Sequence, residues 1–420
     1  MSQSTRPAPR TPKSARSGAP GASKSTRKST RVGGTKAKPR VVRTRQRSES
    51  VARATTAAQT RHKRVPFIII LSIVIGLSLL GLTMVLSASS VTSLTRSGSP
   101  WGEFNSQLMW LALGLVAMFT ATLIDHNHLR KLTLPGLIIS TVLLIGVLIP
   151  GLGVSWKGAQ RWIRFGPVQF QPSEVAKLAL VLYAAHVLSR SRTVDVNKSV
   201  KPIVVVLIGF GGLILLQPNL GTTIIVFSIA IAVLFASGAP VRVIAALGGI
   251  SFFGASLLAY LASYRRKRLF AFLDPWEDPL GDGYQTIQSL VSVANGGVRG
   301  VGIGASRGKF GFLPEAHNDF VFAVTAEEFG LVGAGIVVLA YVTFGLMALV
   351  VARQAERFGA LLVIGVTTWV LVQAFINIGA VLGVMPITGV PLPFMSAGGT
   401  SLVTTMTGVG VILSVARTLK

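Results

Sequence analysis

The sequence predicts an all-α, polytopic membrane protein: ten transmembrane helices with a large structured extracellular loop between spans 7 and 8. Three observations predict it. Half of the 420 residues are hydrophobic and only 13% are charged, against about 25% charged in a soluble protein. Mean hydropathy is +0.62. Apolar runs approaching the ~20 residues that a bilayer requires recur along the chain, and Lys and Arg cluster in alternate connectors, as the positive-inside rule demands.

Residues 1–64 hold 18 Lys and Arg against one acid, Glu49, and almost no large apolar side chain. Such a segment cannot bury a core and is expected to be a disordered basic cytoplasmic tail. It lacks aromatic residues for stacking bases, so it reads as an arm lying on anionic membrane lipids rather than as a nucleic-acid binder. No apolar core with a cleavage site follows Met1, so no cleaved signal peptide is expected. Cysteine is absent, which excludes disulfides, thiolate catalysis and Cys-based metal sites.

From residue 65 to 420 a single membrane domain is expected. Its apolar runs lie at about 67–90, 106–124, 132–150, 173–190, 202–217, 219–237, 241–262, 320–350, 358–383 and 395–416. Ten spans put both termini on one side, and the tail makes that side cytoplasmic. Arg130, Lys131, Arg190, Arg192, Lys198, Lys201, Arg242, Arg353, Arg357 and Arg417 then fall inside. Arg265, Arg266, Lys267 and Arg268 fall outside, at the start of the 263–319 loop. Either they meet an anionic headgroup or they pair with Asp274, Glu277 and Asp278.

The long loop carries the chemistry. Eight of the 14 acids lie between Asp274 and Glu328, and unpaired charge is costly near a bilayer. Asn318 or Asp319 could simply cap the eighth span. Glu327 and Glu328, about 12 Å further along that helix, are expected to face the interior and pair with a cation. Glu315, His317 and Asp319 offer oxygen and nitrogen ligands to a hard cation such as Mg²⁺, although alternate spacing alone does not make a metal site. Gly300-x-Gly302-x-x-Ala305 loosely fits a dinucleotide fingerprint. No strand or βαβ unit surrounds it, so its glycines are read as tight turns or close backbone packing.

Between spans 3 and 4, Lys157, Arg161 and Arg164 alternate with Trp156, Trp162, Phe165 and Phe170, more cations than an aromatic belt needs and suited to a diphosphate. The fourth span opens on Ser173 as N-cap, with Glu174 and Lys177 one turn apart as an ion pair. Prolines and glycines fill 383–401, backbone tolerated at membrane depth only when protein buries it or it lines a cavity.

WKGAQRW, QPSEVAK, QPNLGT, DPWEDPLGDGYQTIQS, GVGIGASRGKFGFLPEAHNDFVFAVTAEEFG and PITGVPLPFMSAGGTS resemble the ordered signatures of the SEDS family (shape, elongation, division and sporulation), over about 67–417. The resemblance implies a peptidoglycan glycosyltransferase of the bacterial cell membrane. Such an enzyme polymerises lipid II at the outer face, beside a class B penicillin-binding protein and other divisome proteins. Asp319 matches the family's essential loop aspartate and is the expected catalytic residue. Lys157, Arg161, Glu174, Lys177, Gln285, Lys309, Glu315, His317 and Ser396 fall in the signatures assigned to substrate. The chain departs from the pattern at Asn219 (commonly Asp), at HND for HTD, at GASRGK, and at MSAGG, which lacks a Tyr. SASSV, LFASGAP and SYRRKRLFAFLDPW look more like the division branch than the elongation branch. A lipid II transporter is the rival reading, but its polar sites would sit near the midplane between inverted repeats.

This topology places Asp282 outside. In a chain without native cysteine, an Asp282→Cys variant should react with a membrane-impermeant maleimide in whole cells. Failure to label would overturn the topology.

Overall fold

The computed structural model describes residues 41–156, 159–166, 168–191, 193–261 and 263–419. The chain divides into two compact units, 1–56 and 57–420. In the first, residues 41–56 are helical, where the sequence predicts disorder. Ala, Arg and Gln there are good helix formers, and residues 57–64, also assigned to the tail, are helical too.

The helices are α1 (Val41–Ser97), α2 (Gly102–Leu123), α3 (Thr133–Gly146), α4 (Pro172–Ser189), α5 (Lys201–Leu216), α6 (Leu220–Ser237), α7 (Val241–Leu261), α8 (Ser263–Leu273), α9 (Tyr284–Gly296), α10 (Val321–Gln354), α11 (Arg357–Val381) and α12 (Gly399–Arg417). Eight described helices are long and apolar enough to cross a membrane. The two other predicted runs form α4, which carries Glu174 and Lys177, and α7, whose apolar part is shorter.

The fold is not purely α. Three antiparallel strands, β1 (Gly153–Trp156), β2 (Ala159–Phe165) and β3 (Val168–Phe170), form a sheet in the order β1-β2-β3 between α3 and α4. Gly153 pairs with Ile163, and Ile163 with Phe170. The sequence is compatible with this: Trp162, Ile163 and Phe165 are residues that favour strands, and Gly166 turns the chain between β2 and β3 with φ +59°.

Helices α4, α6, α11 and α12 make the centre, with α2 along α12 and α10 along α11. Val181, Val233, Trp369 and Ile412 are fully buried there. By contrast, α3 and α5 expose Ile138, Val142, Val205 and Ile208, apolar faces of the kind lipid covers.

α10 is broken at Gly330, where φ is +67°. The 297–302 segment fills the break. Leu331 and Val332 donate N–H groups to the carbonyls of Gly297 and Val298 (2.9 and 3.3 Å), while Val301 and Gly302 donate to Glu327 and Glu328 (3.0 and 3.1 Å). A Cβ on Gly300 would stand 2.1 Å from the Glu328 carbonyl oxygen. Gly300 serves close backbone approach and Gly302 a positive-φ turn, the two uses expected from the sequence.

Gly300→Ala meets both a positive φ and that carbonyl, whereas Gly302→Ala meets only a positive φ with open space around it. Thermal unfolding in detergent should show Gly302→Ala losing roughly 1–3 kcal/mol of stability to local strain and Gly300→Ala losing more. Equal midpoints would refute the packing argument.

Candidate active site

The segment between α11 and α12 has little regular structure and contains Pro386, Pro391 and Pro393. Its backbone carbonyls cannot be left unpaired where it is buried. Side chains from four helices supply the donors. Arg268 Nη1 reaches the Ile387 carbonyl (3.0 Å), Asn377 Nδ2 that of Val390 (2.9 Å), Gln373 Nε2 that of Pro391 (2.9 Å) and Gln107 Nε2 that of Ser396 (3.1 Å). The Tyr341 hydroxyl donates to Pro393. Ser396, assigned to substrate by resemblance, is buried, and its Oγ accepts the Leu392 N–H at 2.8 Å. It shapes the loop from inside.

Asp319 ends the long loop beside this segment. The N-cap position of α10 is Phe320, one residue on, and it makes no side-chain cap bond. The same Asn377 amide that holds Val390 donates to the Asp319 carbonyl at 2.8 Å. A Cβ on Gly389 would lie 3.7 Å from Asp319 Oδ2, so this carboxylate faces the 386–390 backbone. Ala397 donates its N–H to the His317 carbonyl (3.0 Å), stitching the two segments together. Glu315 has φ +56°, a left-handed conformation uncommon for such a residue. Asn318 holds its Oε2 at 2.9 Å. Among the described residues no three His, Asp or Glu side chains converge on a metal site, so Glu315, His317 and Asp319 do not form a ready-made cation cage.

A cavity of about 290 Å³ opens alongside, lined by Arg268, Asp282, Tyr284, Gln285, Pro314 and Ile387 among others. Pro314 and Ile387 belong to the two segments that carry Asp319 and Gly389. Of the basic cluster at 265–268, Arg268 thus faces this cavity. The nearby acids turn to local work: Asp274 accepts the Trp276 N–H, and Asp278 accepts those of Gly281 and Asp282 (all 3.1 Å).

Glu174 and Lys177 form the expected ion pair at 2.8 Å, with both side chains at most 3% exposed. Lys177 Nζ also donates to Gln373 Oε1 (2.9 Å) and lies 4.6 Å from the Trp369 ring centroid. Trp369 Nε1 donates to the same Oε1 at 2.8 Å, and Thr404 donates to Glu174 Oε2 at 3.3 Å. The pair therefore acts on the loop through Gln373. Ser173 is not the N-cap of α4: Pro172 occupies the first turn and Gln171 precedes it, since proline suits a position whose N–H is unpaired anyway.

Arg161 on β2 points two donors at the α5–α6 turn, Nε to the Gln217 carbonyl (3.2 Å) and Nη2 to that of Pro218. Asn219 caps α6 by accepting the Thr222 N–H (3.2 Å). Asn ranks with Asp as a cap, which explains why this chain dispenses with the family's common Asp. Lys309 donates to the Gly304 carbonyl of its own loop. Lys157 lies outside the described residues.

Glu327 and Glu328 are buried as expected, but no cation pairs with them among the described residues. Ser306 Oγ (2.5 Å) and the Arg307 N–H (3.1 Å) satisfy Glu327, and Ser87 donates to Glu328. Serine hydroxyls and a backbone N–H from the loop do the work expected of a cation. The sequence reading also missed Gln107, Tyr341, Gln373 and Asn377. The last two were legible in principle: amides four residues apart in an otherwise apolar span mark a face that must find polar partners.

Residues 67–420 match the family described as cell cycle protein, FtsW/RodA/SpoVE. The chain belongs to this family. Among FtsW/RodA/SpoVE relatives, the probable peptidoglycan glycosyltransferase FtsW of Mycobacterium tuberculosis is 38% identical over 354 residues, 84% of this chain and 68% of that one. That of Geobacter metallireducens is 37% identical over 84% of this chain and 95% of its own. Stage V sporulation protein E of Bacillus subtilis is 36% identical, covering 85% and 99%. A chain solved in work on structural coordination of polymerization and crosslinking by a peptidoglycan synthase complex superposes with TM-score 0.66 at 32% identity, covering 83% of this chain and 96% of that one. RodA of Thermus thermophilus gives 0.62 at 28%, covering 83% and 96%.

Asn377→Asp keeps size but replaces an amide donor with oxygens facing two carbonyls. Leaving those carbonyls unpaired should cost roughly 1–3 kcal/mol each, read as a lowered thermal midpoint in detergent. An unchanged midpoint would show that Asn377 does not hold the loop.

Proposed function

We propose that this FtsW-like peptidoglycan glycosyltransferase polymerises lipid II at the outer face of the bacterial cell membrane, with Asp319 as general base. The observation that carries the reading is the placement of Asp319. Its carboxylate faces the 386–390 backbone, and its own carbonyl is held by Asn377 beside the segments that line the cavity. The base takes the proton from the acceptor 4-hydroxyl as that oxygen attacks the anomeric carbon of the growing strand. The bond to polyprenyl diphosphate breaks, with inversion, and the diphosphate leaves with the electron pair. Such a displacement needs cations near the leaving group. Arg268 in the cavity wall, Lys157 and Arg161 are proposed for that role. Gln285 and His317 would meet the sugars. Glu174, Lys177 and Ser396 act from within, by setting the loop.

In this reading α4 and α7 also cross the membrane. The chain then has ten spans, both termini are cytoplasmic, and the 263–319 loop is outside. A class B penicillin-binding protein as partner is supported by the peptidoglycan synthase complex to which the fold is similar. Action at the division septum is supported by the FtsW names of the relatives. No observation favours the elongation or transport readings over this one.

Asn has the size of Asp but cannot take a proton. Asp319→Asn should therefore lose roughly 10²–10⁴-fold in polymerisation rate, with thermal stability unchanged. Asp319→Glu should also be damaged, because a one-methylene displacement spoils near-attack geometry. The assay is strand formation from lipid II by detergent-purified protein with its partner. An active Asp319→Asn enzyme would move the base to Glu315.

A further inference from the structure

A second cavity, of about 500 Å³, lies at the other end of α4, between the turn that precedes α3, the C-terminus of α4 and the N-terminus of α5. By the helical rise it is about 24 Å from Glu174, far from the site just described. Its lining includes Arg130, Lys131, Arg190 and Lys198 and no Asp or Glu. Among the described residues no carboxylate pairs with any of the four cations. The nearby Asp195 is occupied, accepting the N–H groups of Asn197 (2.8 Å) and Lys198 (3.1 Å). Two of the cations are held in place by neutral groups: Arg130 lies 4.3 Å from the Phe358 ring centroid, and Arg190 Nη2 stands 2.8 Å from His186 Nε2. The other ring nitrogen, His186 Nδ1, is buried with no protein partner. Positive-inside placement accounts for the sign of these residues. It does not account for four cations of one sign lining one concavity, where a bound anion would relieve their repulsion.

We propose that this cavity binds the phosphate of an anionic phospholipid headgroup from the cytoplasmic leaflet. The apolar surroundings select a lipid over a free anion. Leu134, which lines the cavity, and Val205, one turn beyond its Pro202 wall, are each 62% exposed, and they continue into the bare faces of α3 and α5 along which acyl chains would lie. Arg130 and Arg190 supply planar donors for the phosphate oxygens. Lys131 and Lys198, both exposed at the rim, supply the attraction that distinguishes an anionic from a zwitterionic headgroup.

The test uses full-length protein in neutral detergent, with bound lipid counted by native mass spectrometry. Phosphatidylglycerol, phosphatidylcholine and inorganic phosphate are the three probes. Phosphatidylglycerol should bind at least roughly tenfold tighter than phosphatidylcholine, and millimolar inorganic phosphate should not displace it. Lys131→Gln with Lys198→Gln should weaken phosphatidylglycerol roughly ten- to thirtyfold and leave phosphatidylcholine unchanged. Arg242→Gln with Arg353→Gln removes the same charge from exposed positions outside the cavity and should change neither. Equal affinity for the two lipids overturns the proposal, as does an equal loss in the control pair, which would mean diffuse surface attraction. Displacement by inorganic phosphate overturns the lipid assignment in favour of a free anion. None of these readings depends on polymerisation, so the pocket stands or falls apart from the assignment of Asp319.

Discussion

The constraint on which the site depends is that a proline-rich segment buried among helices must have its carbonyl oxygens satisfied. Pro386, Pro391 and Pro393 keep the 383–398 backbone from forming a helix or a ladder of its own. Residues far apart in the chain meet that demand one carbonyl at a time: Gln107, Arg268, Tyr341, Gln373 and Asn377. Each bond contributes only about 0.5–1.5 kcal/mol net, but losing any one leaves a buried oxygen bare, which costs more. Such a segment has one low-energy path through the protein, and that path is the floor under Asp319.

The same donors couple the separate signatures. Asn377 shares its amide between Val390 and Asp319, so the position of the carboxylate and the course of the loop are set by one side chain. Gln373 joins the loop to the buried Glu174–Lys177 pair through opposite ends of its amide. A buried ion pair is weak evidence of stability. Here its consequence is orientational, since Lys177 and Trp369 both donate to Oε1 and thereby aim Nε2 at Pro391.

Much of this was legible in the sequence, and the exceptions have physical causes. Hydrophobic runs located the helices closely, α6 at 220–237 against an expected 219–237, because a span must be apolar along its whole length. The 153–170 sheet was not read, because the aromatic and basic residues that alternate along β2 are also those of an interfacial belt. Side-chain roles were legible where one local partner decides them, as for Glu174 with Lys177. They were not where partners come from distant segments. Glu327 meets Ser306 and the Arg307 N–H through loop folding that no spacing rule encodes, and Ser173 lies inside α4 because Pro172 starts the helix one residue earlier. Gln373 and Asn377 stood in plain view, but an amide in a span does not announce which carbonyls it will serve.

The break at Gly330 has a mechanical consequence. An unbroken helix of 34 residues, about 51 Å long by its rise, would exceed the ~30 Å hydrocarbon layer and act as a lever, turning its outer end whenever the bilayer tilts it. In this chain the 297–302 strap holds both sides of the break, 327–328 and 331–332, so the two pieces meet at a clamped joint rather than a free hinge. Membranes of different thickness that lean the long piece therefore load the strap first. A loop segment thereby carries the mechanical link between the bilayer and the helix end beside Asp319.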